Sequence, residues 1–374
     1  MPTRTLRRAA LTLGVAAAVL ATSVTTPAYA RPEVGSPAAA TTATAAVFPI
    51  TDGLARQLAG SLADPAVTRT VVSAAHGSTD LLTVPFAGRA LSRAAQAANQ
   101  RVLAAKGLPA TSGSVLRLRL AHPDMRAALL RGEAPVVAAT PTDDVPASVT
   151  AYDRTGATVL LDATRLPQRP VLLVEVDTTR ALSLGLSVMR AELAGRGVVD
   201  SARSASTATT ASGYWATKVN AVRLNDDMEP WIKGDAEIYS VVAGFGLDGK
   251  PKVDLVQMPY LNNDGTTYYP NQLLVHFSAY KYNLADAVMM EDDGDTNYQA
   301  LAAAIASALL VIVDGGAYQP LVSAILNAIP TSWYTDDPDY VDSWYTLSTG
   351  SSGRLYGAAG NGWLDVVPYF VEQF

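Results

Sequence analysis

Hydrophobic and polar positions switch period repeatedly between residues 48 and 195. Leu54, Leu58 and Leu62 fall on one helical face, with Thr51-Asp52 the expected cap ahead of them. Phe86 to Lys106 continues the helical period, and Gly107 is placed to end it. Leu116, Leu118 and Leu120 then alternate with Arg117 and Arg119, the pattern of a half-buried strand. Pro123 opens a short helix that stops at Gly132. Apolar runs near 135–139, 148–152, 157–161 and 170–176 predict further strands, the middle pair turning through Arg154-Thr155-Gly156. Thr178 to Leu193 predicts a closing helix. Mixed in this way, residues 48–195 predict an α+β domain.

From Tyr214 onward the pattern is mostly that of strands. Thr217–Leu224, Ala236–Ala243, Val253–Met258, Gln272–Ala279, Ser343–Ser348 and Gly362–Tyr369 are rich in Tyr, Val, Ile and Trp and are separated by Gly, Asn, Asp and Pro. They predict a β-sandwich over 214–374. Two apolar helices, Tyr298–Val313 and Gln319–Ile329, interrupt it around Asp314-Gly315-Gly316. The first is about 16 residues, short of the roughly 20 needed to span a bilayer, so burial against the sandwich is expected over membrane insertion. Residues 196–213 are rich in Ser, Thr and Ala and are expected to link the two domains.

The N-terminus adds a destination. Arg4, Arg7 and Arg8 precede an apolar run from Ala10 to Ala21, and Ala28-Tyr29-Ala30 has the form of a signal-peptidase site. A secreted protein, cleaved after Ala30, is expected, with 31–47 a flexible lead-in; Arg7-Arg8 leaves a twin-arginine route open. The chain contains no cysteine. That excludes disulfides, thiol nucleophiles and Cys-ligated metals.

Charge is distributed unevenly. Between 214 and 374 there are 20 Asp or Glu against 7 Lys or Arg, a net of −13 beside −6 for the whole chain. Nucleic acid is therefore not an expected partner. The acids cluster in expected loops: Asp226, Asp227 and Glu229, then Asp235 and Glu237, then Glu291, Asp292, Asp293 and Asp295. Like charges this close call for screening. Calcium accepts six to eight oxygen ligands in irregular geometry, so these nine carboxylates are the candidate metal ligands. A further run, Asp336 to Asp342, is the weaker candidate. Paired carboxylates such as Asp227, Glu229, Asp292 and Asp295 also keep a hydrolase open.

Other chemistry lacks its residues. Gly244 to Lys250 has the spacing of a phosphate loop, but Pro251 stands where Ser or Thr would hold magnesium and no helix follows. Asp293-Gly294-Asp295 lacks the EF-hand order, with Ala304 at the twelfth position. Only three histidines, His76, His122 and His276, are present, and no nucleophile elbow.

RLNDDMEPWIKGDAEIYSVV, MPYLNNDGTTYYPNQLLV, EDDGDTNYQALAAAIA and WYTDDPDYVDSWYTL resemble domain-of-unknown-function family 3103, a family of secreted bacterial proteins. The resemblance implies export and adds no catalytic residue. Gly234 to Tyr239 is similar, with Ala236 inserted, to the G-x-D-E-I-Y strand of C2-like calcium sandwiches. Together these give an expected calcium-stabilised surface-interaction module with an unidentified extracellular ligand, and carboxylate-dependent hydrolysis or membrane association through 298–329 as alternatives.

Overall fold

The structure, a computed structural model, describes residues 47–75, 77–86, 89–141, 147–199, 213–226, 232–234, 236–292, 294–329 and 340–372. The expected signal and lead-in, most of the 196–213 linker and the Asp336–Asp339 acids lie outside the described residues, apart from Val47.

The chain begins with α1 (Val47–Ser61), α2 (Pro65–Ala74), β1 (Thr79–Asp80), α3 (Arg89–Ala105) and β2 (Leu116–Leu120). Then come α4 (Arg126–Leu130), β3 (Val136–Ala139), β4 (Ser148–Tyr152), β5 (Thr158–Asp162), β6 (Val171–Val176) and α5 (Thr178–Gly195). Six strands form the first sheet in the order β1-β2-β6-β3-β4-β5, antiparallel except where β3 runs parallel to β6. Helix α1 starts earlier than its sequence pattern suggests. Thr51 is not its cap but a buried mid-helix residue whose hydroxyl donates to Phe48 O at 3.0 Å. A cap does start α2: Asp64 accepts from Ala66 N, and Pro65 occupies the first turn, where its missing N–H costs nothing.

The second half contributes β7 (Gly213–Leu224), β8 (Ile238–Phe245), β9 (Pro251–Gln257), β10 (Thr267–Tyr268), β11 (Gln272–His276) and β12 (Leu284–Glu291). It continues with α6 (Tyr298–Leu310), α7 (Val322–Ala328), β13 (Tyr340–Ser348), β14 (Gly353–Tyr356) and β15 (Gly362–Glu372). The second sheet is β10-β7-β15-β14, with β11 also on β7, and the third is β13-β12-β8-β9. The fold is α+β.

The central strands of the third sheet, β8 and β12, are buried on both faces. Along β8, Ile238 and Val242 point into the core shared with the second sheet, while Tyr239, Val241, Ala243 and Phe245 point the opposite way. That second face meets α5, α6 and α7 in one apolar cluster that continues through α1, α3 and the first sheet. Residues 44–374 accordingly form one compact unit. Helix α6 is buried through Leu301, Ala302, Ile305 and Leu309. Among the described residues no helix is long and apolar enough to cross a membrane.

Candidate functional site

Asn297 caps α6 by accepting from Ala300 N, and its Nδ2 donates to Ala105 O at the end of α3. Tyr298 N donates to Lys106 O. Gly107 turns the chain away with φ +64°, where any β-carbon would strike Asn297. These contacts set the loop after β12 on the C-terminus of α3. They bring Lys106 Nζ to 3.5 Å from Asp292 Oδ1 and 4.7 Å from the centre of the Tyr298 ring. Tyr298 Oη donates to Asp292 Oδ2 at 2.5 Å. Lys106, Asp292 and Tyr298 are all 0% exposed. The ring fits only because residue 185 of α5 is glycine: a β-carbon there would lie 2.4 Å from it. Burial, and then the Asp292 charge, holds the Tyr298 phenol well above its ordinary pKa.

Glu237, one residue ahead of β8, faces the same junction. Thr179 Oγ1, in the first turn of α5, donates to its Oε1 at 2.6 Å. Burial pushes the Glu237 carboxyl up to about 7; hydrogen bonds from Thr178 and Thr179 oppose the rise and the Asp292 charge adds to it. Beyond it, Glu175 of β6 accepts from Arg117 Nε at 2.5 Å, Arg119 Nε at 2.6 Å and Thr140 Oγ1 at 2.7 Å. Burial alone would raise the Glu175 carboxyl. The charges of Arg119 and Arg117 outweigh it and hold the group below the usual carboxylate range. Arg119 also donates to Ile232 O and Lys233 O, tying the segment before β8 to the first sheet. A small cleft beside this network, about 40 Å³, is bordered by Thr51, Thr140, Glu175, Thr178, Lys233 and Gly294. It has room for one or two waters.

The nine candidate ligands separate in space. Glu237 and Asp292 converge on the junction, and Asp292 N donates to Glu237 O at 3.2 Å. Glu291 is strand, not loop: it ends β12 opposite Ile238, whose side chain lies in the sandwich core. Asp226 is exposed at the end of β7, where its N donates to Asn361 Oδ1 and its O accepts from Asn361 Nδ2. Asp295 is half-buried in the loop before α6. Asp227, Glu229, Asp235 and Asp293 lie outside the described residues. Among the described residues no group of three or more Asp, Glu or His side chains is placed to hold a metal ion.

Residues 54–374 match the model of a family described as "Protein of unknown function (DUF3103)". The chain belongs to this family. Comparisons with curated proteins and with solved structures find no match.

Sequence reasoning did not anticipate that members of this junction would include Lys106, Tyr298, Glu175, Arg117 and Arg119. One signal was available. Glu175 is a carboxylate inside the apolar strand VLLVEV, and it requires a cation from a neighbouring strand. Arg117 and Arg119 supply it, so the polar face of β2 is covered, with both side chains only 15% exposed.

Proposed function

We propose that this family member is an exported binding protein that acts through its surface. One observation carries the reading. The acids that converge in the interior are satisfied by residues of the chain itself, and Asp292 is closed off from solvent by Lys106 and Tyr298. A general acid or base must reach the proton it transfers in a bound substrate. Groups at this depth have no such access, and a buried carboxylate–ammonium–phenol cluster serves to fix one packing of α3 against the loop before α6. The signal-like N-terminus supports export.

The test is a panel of glycoside, ester and peptide substrates, with Glu237→Gln and Asp292→Asn as controls. No turnover is expected. Turnover that disappears in a folded Glu237→Gln protein would overturn the reading.

A second reading concerns the remaining candidate acids. With Lys106 on Asp292, calcium would draw on Asp226, Asp227, Glu229, Asp235, Asp293 and Asp295, in a half that carries a net charge of −13. At millimolar calcium and a dissociation constant of about 10⁻⁴ M, linkage adds about 1–2 kcal/mol to stability. The melting temperature is expected to rise by a few degrees over that in chelator, and an unchanged melt rejects calcium.

A further inference from the structure

We infer that the outer face of the second sheet is a binding site for an acidic polysaccharide, a chain of uronate sugars. This inference rests on the reading that the protein acts by binding and names the ligand class. Leu364 and Val366 of β15 point into the sandwich core, so their neighbours Trp363, Asp365, Val367 and Tyr369 point outward. Register carries the same face across three strands. Arg223 of β7, Trp363 of β15 and Tyr356 of β14 form one cross-strand row, with Arg354 beside Asp365 in the next. Lys218 lies further along β7, 5.2 Å from the centre of the Tyr369 ring.

Charge separates this face from the rest of the half. It carries three of the seven basic residues between 214 and 374, Lys218, Arg223 and Arg354. Of the twenty acids, the described strands place only Asp365 there. None of the three cations has an ion-pair partner among the described residues. Arg354 Cζ lies over the Trp363 ring, 3.8 Å from its centre, a contact that restrains the guanidinium before any ligand arrives. A fork fixed in this way suits a carboxylate, which it can hold through two parallel N–H bonds. Tyr356 is 72% exposed and Tyr369 43% exposed. Their ring faces suit the C–H face of a sugar, and ordering them costs little because each has two side-chain torsions.

Spacing agrees: from Arg223 to Tyr356 is two strand intervals, about 10 Å, the length of a disaccharide. Three cations in so acidic a half are too few for a nucleic acid, whose affinity comes from many phosphate contacts. A peptide adding a strand would use a sheet edge rather than this face.

The experiment measures binding of sodium polygalacturonate, its carboxyl-reduced neutral polymer and sodium polyphosphate at one ionic strength. The proteins are wild type, Arg354→Ala and Tyr356→Ala, with melting temperatures to confirm folding. Polygalacturonate is expected to bind, with each substitution weakening it about tenfold. The neutral polymer is expected not to bind, and polyphosphate to bind more weakly and without dependence on Tyr356. Equal binding of polyphosphate, unchanged binding by both variants, or no binding of polygalacturonate overturns the inference. Binding of the neutral polymer that Tyr356→Ala abolishes also overturns the acidic ligand while leaving the binding reading intact. Turnover dependent on Glu237 strikes that reading instead.

Discussion

Replacing Lys106 by Met tests whether the junction works as an electrostatic unit. Methionine is close to lysine in length and shape, so the perturbation is loss of the ammonium. Asp292, 0% exposed, would keep the Tyr298 hydrogen bond and lose its only described cation. Breaking a buried pair by removing one partner costs about 3–5 kcal/mol, because the remaining charge has no solvent to return to. Unfolding entropy is about 2.1 cal/mol/K per residue. Over the unit from Thr44 to Phe374 that is roughly 0.7 kcal/mol/K, so the melting temperature should fall by about 4–7 °C. The triple substitution Lys106→Met, Asp292→Leu, Tyr298→Phe removes every unpaired group together and should recover most of the loss, since apolar replacement of a buried pair is commonly neutral. Thermal melts followed by circular dichroism at pH 7 measure both proteins. A single variant melting within 1 °C of wild type, or a triple variant no better than the single, refutes the reasoning.

Three further outcomes follow from the same packing. Glu237 has a folded pKa of about 7 against an ordinary 4.5, so the folded state holds its proton more tightly than the unfolded chain. Its contribution is present below 4.5 and is lost as pH rises to 7, about 3 kcal/mol in all; Glu237→Gln should flatten that part of a stability–pH profile, and an unchanged slope rejects the assignment. Gly185→Ala would normally strengthen a helix, yet the new carbon meets the Tyr298 ring, so urea denaturation should show a loss of about 1–3 kcal/mol, and a neutral or stabilising result contradicts the close approach. Asp342 is buried and accepts from Ser343 N, Ala359 N and Gly362 N, so Asp342→Ala should cost about 3 kcal/mol or more in the same assay, while a loss under 1 kcal/mol contradicts that role.

Strands were legible in the sequence where alternation, or a run of β-branched and aromatic residues, marked them, and the second kind includes β3, β6 and β8, which are buried along their whole length. The alternation of β2 and the Asp153-Arg154-Thr155-Gly156 turn lie where the pattern puts them; Asp153 accepts from Thr155 N, and Gly156 takes φ +80°. Strand β12, LADAVMME, is buried at all but its first residue, as β8 is throughout, but it lacks the Ile, Tyr and paired Val that mark β8, so neither alternation nor composition identifies it. That omission placed Glu291 in a loop and obscured where Asp292 points. The Asp64-Pro65 pair carries the start signal of α2 in the sequence. Lys106 was legible only as the end of a helix. Its partner is 186 positions away, and no local pattern encodes a contact at that separation. Cross-strand placement of Arg223, Trp363 and Tyr356 was hidden for the same reason, since it exists only once the second sheet has its order.

The pairing of β7 with β15 has a consequence for the route to the native state. Gly213 lies opposite Glu372 and Leu224 opposite Gly362, so the centre of the second sheet joins segments more than a hundred positions apart. Bringing them together incurs the loop-closure entropy before any of the ladder is gained, and chains dominated by such contacts fold slowly. Until residues 362–372 are synthesised, β7 has no partner on that side, and a nascent chain halted earlier should remain protease-sensitive in the second sheet.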